Sequence, residues 1–302
     1  MTGGSQAGGK VLSRPGLAVA IALAVSVGMP GSTIAAGTPA VAVDYDVFAG
    51  GLHVLSSGLE LSLGSQRYDV RLNAEVAGVP GWFADWWAVV RSGGSIVSGG
   101  FDPERNTIER FRRGETRLTE LEFAGNGAVT VTYTPERNDG GEPVPTESLL
   151  GALDPLSGVA QVMWSITQGA NCEATVPVYD GRRRYDLVFT DLGSVQLQRT
   201  SHSAYSGEAR HCRMRLEPVA GDFDDEDDNS VWNRESDPRR RQLDIWMAQP
   251  IAGSPAVPVK MIGRSTLGAV VVHLRGARAG EPLSRSTAGR PDFPASGCGA
   301  PC

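Results

Sequence analysis

Residues 66–76 alternate without a break. Tyr68, Val70, Leu72, Ala74 and Val76 fall on one side of an extended chain, and Arg67, Asp69, Arg71, Asn73 and Glu75 fall on the other. Period two with a charged outer face specifies a half-buried antiparallel strand. The pattern recurs along the chain. Leu59, Leu61 and Leu63 alternate with polar residues, and Gly64-Ser65 then marks a hairpin into 66–76. Segments 108–113 and 116–123 flank Gly114-Glu115, and Val129, Val131 and Tyr133 alternate with threonines after Gly125-Asn126-Gly127. Asp180-Gly181, a strong hairpin dipeptide, joins 175–179 to 182–191, where Arg183, Tyr185, Leu187 and Phe189 share a face. Segments 242–248, 257–264 and 266–274 complete a set of nine to twelve strands. Strands at this spacing predict a mainly β fold, a curved antiparallel sheet that is barrel-like or spiral.

One segment leaves that rhythm. Between 145 and 168, Leu149, Leu150, Leu153, Leu156, Val159, Ala160, Met163, Trp164 and Thr167 recur at three- and four-residue spacing. This predicts one or two helices, with Asp154 as the N-cap and Pro155 in the first turn of the second. Helical spacing within 81–90 would also stack Trp82 on Trp86 and Phe83 on Trp87. The resulting aromatic surface either plugs one end of a barrel or forms the lip of an apolar cavity, where these four residues would meet a ligand.

The first 42 residues have the plan of an export signal. Lys10 and Arg14 precede an apolar run at 17–29, and small residues follow, with cleavage expected after Ala36 or Ala42. The run is shorter than the about 20 residues of a spanning helix, so no transmembrane segment is expected once the signal is cut. The expected compartment is the periplasm. The mature chain would carry 26 basic and 34 acidic residues, a balance that argues against nucleic acid as a partner. An oxidising compartment makes cysteine pairing the default, and Cys172–Cys212 is the expected disulfide. Cys298 and Cys302 lie in a Gly/Pro-rich tail, 276–302, that reads as disordered; their pairing stays open.

Catalytic signatures are absent: the chain has no G-x-S-x-G, GxxxxGK[ST], HExxH or CxxC. His53, His202, His211 and His273 lie in separate segments, and their spacing fits no standard zinc pattern. The acidic run from Asp222 to Asp228 resembles a calcium loop only in part, because Asn229 stands where the turn glycine belongs; it reads as a solvated loop. Arg182, Arg184 and Asp186 would share a strand face and pair locally. No cofactor, metal or catalytic residue is therefore expected.

Several separated motifs carry a family resemblance. The run from Tyr45 to Leu52 (YDVFAGGL) resembles the opening of the domain-of-unknown-function 3108 family of exported bacterial proteins. The runs Gly151 to Ser157, Val178 to Leu187, Cys212 to Pro218 and Leu267 to Leu274 are similar to its later motifs, in the same order. The resemblance covers 43–275 and implies an exported β-rich domain without an established activity, and it supplies no catalytic residues. The expected function is thus a non-enzymatic envelope protein whose β-barrel-like cavity takes a lipid-like ligand or a segment of an envelope protein. The alternatives are a scaffolding module with a filled barrel and an envelope hydrolase of unrecognised type.

Overall fold

The structure, a computed structural model, describes residues 40–78, 85–125, 127–136, 143–221, 223, 241–265 and 268–280. Thirteen strands lie within them. The first seven are β1 (Ala40–Ala49), β2 (Leu52–Leu63), β3 (Arg67–Val76), β4 (Trp86–Val97), β5 (Gly100–Arg112), β6 (Glu115–Phe123) and β7 (Val129–Thr134). After a 3-10 turn at Thr146–Leu149 and the helix α1 (Pro155–Thr167) come β8 (Ala174–Tyr179), β9 (Arg183–Leu197) and β10 (Gly207–Gly221). The last three are β11 (Gln242–Ala248), β12 (Val257–Ser265) and β13 (Gly268–Ala279).

All thirteen form one curved antiparallel sheet in the order β7-β6-β5-β4-β3-β2-β1-β13-β12-β11-β10-β9-β8. It consists of two meanders, β1–β7 and β8–β13, joined where the first strand pairs with the last, from Val41↔Ala279 to Ala49↔Val270. The sheet does not close. Its edges β7 and β8 are linked by other means. The Tyr133 hydroxyl of β7 donates to the Gly181 carbonyl in the β8–β9 turn at 2.8 Å. Leu153 forms a parallel bridge with Val178 that covers the edge of β8.

Helix α1 begins as its residues dictate. The Asp154 side chain accepts from the Leu156 and Ser157 amides, and Pro155, which has no N–H to lose, opens the first turn. The helix lies on the concave face against β3, β4, β5 and β8. Gly158 allows its close approach to β8: a Cβ there would stand 2.9 Å from Val178 Cγ1. The alternating strand residues meet the helix in the main core, which includes Tyr68, Phe101, Met163, Val178, Phe189 and Ile245, and a smaller cluster gathers Leu121, Leu149, Ala152 and Tyr179. No described helix is long and apolar enough to cross a membrane.

Three sequence expectations change. Residues 86–90 are strand, since β4 pairs from its first residues with both neighbours (Trp87 with Glu75 and with Phe111); the β preference of aromatic residues outweighs their helical spacing. Residues 276–279, expected in the tail, are strand instead, because β13 continues as far as Ala279, which is still in register with Val41 of β1. The domain likewise begins before 43, with Val41 and Ala42 already buried in β1. Residues 281–302, and the acidic run apart from Phe223, lie outside the described residues.

Candidate functional site

The inward residues of the sheet divide into two zones. Where β1, β3, β5 and β12 begin, Val41, Val43, Tyr68, Val70, Phe101 and Val257 are fully packed. Toward the opposite ends of the strands, inward side chains remain apolar but only half-buried. A row in register shows this: Met261 faces Val272, Val272 faces Val47, Val47 faces Leu55 and Leu55 faces Val76. All five are half-buried. Leu72, paired with Val90, extends the same surface. The arrangement offers a hydrophobic wall over several strands, suited to hold an apolar chain by burial.

Trp86 stands at the rim of this wall. It shares the inward side of β4 with Ala88 and Val90, and it is half-buried. Trp87 points to the outer side, where its ring stacks on Phe111 with centroids 5.8 Å apart. The structure therefore separates these two tryptophans onto opposite faces. Trp82 and Phe83 lie outside the described residues.

Cys172 and Cys212 form the expected disulfide, with an S–S distance of 2.05 Å and Cα atoms 6.2 Å apart. It ties the segment leading into β8 to β10, across β9. Asp191 of β9 lies beside the sulfurs and is paired with Arg210 at 3.0 Å. Arg184 and Asp186 pair locally at 2.6 Å, and Arg184 Nε also donates to the Ser148 carbonyl, so the dense arginine motif is tied down within the fold.

A polar cluster sits beneath the start of α1. Asp154 is fully buried, and its Oδ1 accepts from the Ser92 hydroxyl at 2.6 Å and from Asn106 Nδ2 at 3.1 Å, besides the two helix amides. Tyr68 and Ser157 share a hydrogen bond of 2.8 Å beside it. Desolvation raises the Asp154 carboxyl above its ordinary range, against the opposing pull of its hydrogen bonds. Sequence reading recognises Asp154 as a cap but not as a hub, because Ser92 and Asn106 arrive from strands 62 and 48 residues away.

The comparisons with known proteins bear on this architecture. A family model described as "Protein of unknown function (DUF3108)" matches residues 44–275. The chain belongs to the DUF3108 family. The DUF3108 match runs from within β1 to within β13 and so takes in α1, the disulfide and, apart from Val41 and Val43, both zones of the inward face. Among solved structures, the chain is similar to a beta-barrel-like protein of domain of unknown function DUF1849 from Brucella abortus. That similarity has 7% identity and a TM-score of 0.45, covering 81% of this chain and 99% of the other. No curated protein matches this DUF3108 chain.

Proposed function

We propose that this is an exported, non-enzymatic protein of the cell envelope that holds a lipid-like chain against its concave face. The observation that carries the reading is the half-buried apolar row from Met261 to Val76, which lies in the same concavity as a fully packed zone. A chain laid along it would remove that surface from water at roughly 25 cal/mol per Å². The basic head, apolar run and small residues of the first 42 positions support export, and the Cys172–Cys212 disulfide suits an oxidising compartment.

The test is uptake of a hydrophobic fluorescent probe by the purified mature protein. Leu55→Gln and Trp86→Ala are expected to reduce uptake while leaving the melting temperature within a few degrees of the parent, since both side chains are half-buried and neither is packed into the main core. Full uptake in both variants would overturn the reading. Native mass spectrometry of protein from its own host would distinguish a retained lipid from a partner's apolar segment. A scaffolding role is the second reading, favoured by the way α1 and the strand residues fill the other zone. It predicts no uptake by the parent protein.

A further inference from the structure

The inward side of β5 and β6 changes character along the strands. On β5 it runs from the buried Asn106 through the half-buried Ile108 to the exposed Arg110 and Arg112. On β6 it runs from the buried Leu121 and Thr119 to the exposed Arg117 and Glu115. Two contacts fix which side this is. Asn106 Nδ2 donates to Asp154 at the start of α1, on the concave face, and Phe111 stacks on Trp87 on the outer face. Ile108 faces Val90 of the apolar wall, Arg110 faces Ala88 and Arg112 faces Trp86. At this border, therefore, the wall gives way to cations.

Sheet pairing alone disfavours the placement. Arg110 and Arg117 are direct cross-strand partners. Like charges set opposite each other, with Cβ atoms about 5 Å apart, work against the pairing of their strands. The turn between them, Arg113-Gly114, has positive φ at both residues, 52° and 86°. Asn, Asp or Gly usually takes the first place in such a turn, so Arg113 adds a cation against its backbone preference. Residues 110–117 thus carry four arginines and one glutamate in a chain whose formal charge is −6. Glu115 lies 3.4 Å from Arg117, with the two side chains 73% and 68% exposed, a pairing that solvent screens to little. Asp85, whose backbone carbonyl accepts from the Arg113 amide at 3.1 Å, is a second exposed acid beside the tip.

Building on the lipid-holding role proposed above, on which this assignment rests, we infer that the ligand is an anionic amphiphile. Its chain lies on the apolar wall, and its phosphate or carboxylate head is held by Arg110 and Arg117. The surface has the polarity of such a molecule: Leu72 and Val90, then Ile108, then Arg110. A guanidinium fork matches either oxyanion in bidentate geometry, which a lysine in the same place would not do.

The test is displacement of a bound hydrophobic fluorescent probe from the purified mature protein by dodecanol, dodecanoate and dodecyl phosphate. The three share a chain and differ in the head. The two anions are expected to bind about tenfold more tightly than the alcohol, the worth of two exposed ion pairs, and the preference should shrink as salt is raised. In Arg110→Gln/Arg117→Gln the preference should vanish while dodecanol binds as before; both side chains are exposed, so folding is not at stake. Arg67→Gln/Arg105→Gln is the charge-matched control, because these arginines pair with Glu104 and Glu120 on the outer side. It should keep the preference. Equal affinity for all three compounds in the parent, or a preference that survives in Arg110→Gln/Arg117→Gln, would overturn the head-group site and leave the apolar wall standing. A preference lost equally in the control would do the same. Displacement by none of the three would overturn the lipid-holding role itself, and the head-group site with it. Inorganic phosphate, at concentrations where dodecyl phosphate saturates and at matched ionic strength, should not compete with it. Competition there would mark a site for the free anion and overturn the amphiphile.

Discussion

Asp154 caps α1 from a position that water does not reach. A surface cap has its second oxygen solvated, whereas here Oδ2 and the nearby Asn106 Oδ1 are both buried without a hydrogen bond. Asp154→Ala would strand the Ser92 hydroxyl and the two helix amides, while Asn106 Nδ2 keeps its bonds to Ser92 Oγ and the Arg91 carbonyl, and a loss of about 2–4 kcal/mol is expected in denaturant unfolding. The pH dependence has a definite sign. The folded-state pKa lies above the ordinary value of 3.8, so between the two values the folded protein binds more protons than the unfolded chain. This group's contribution to stability therefore falls as pH rises from about 3.8 through the folded pKa. Asp154→Asn keeps the accepting oxygen and removes the titration. Melting curves across this range should show the parent losing stability relative to Asp154→Asn as pH increases; a constant difference would contradict the assignment.

At the scale of elements, the strands were legible wherever one face is buried and the other solvated. β3, β6 and β7 follow their alternation, and α1 follows its cap and its apolar spacing. β1 was not legible as a strand, because its run of small and apolar residues continues the small and apolar residues that precede it in the sequence. The second half of β4 was obscured by Gly93 and Gly94, which have no side chains to alternate. Nothing in local sequence could bring His202 beside His273, since that contact depends on a loop reaching past the end of the β12–β13 pairing. The disulfide carries a prediction at the scale of elements. With a sequence separation of 40, the bridge removes roughly 4 kcal/mol of loop entropy from the unfolded chain. Cys212→Ser should lower the melting temperature under oxidising conditions and match the parent once both are reduced.

For the whole molecule, the place where the domain starts bears on the cleavage that the proposed export would require. Cleavage after Ala42 would remove Val41 and Ala42, which are 0% and 5% exposed, and would leave part of β2 and β13 unpaired. Cleavage after Ala36 leaves β1 whole. Under the proposed export, N-terminal sequencing of the mature protein is therefore expected to begin at Gly37; a start at Val43 would show that the domain tolerates the loss of its first pairs in β1. The sheet order has a further consequence. Each meander can assemble from neighbouring hairpins as it is made, but β1 must wait for the last strand: the ion pair between Asp44 and Arg278 spans 234 residues. Until then β1 is an open edge, the kind of template on which chains pair with one another. Under the proposed export, with the N-terminus crossing the membrane first, this interval is when a chaperone would be most needed. Joining residue 280 to residue 40 and opening the chain between β7 and α1 would abolish that wait without changing a single strand pairing.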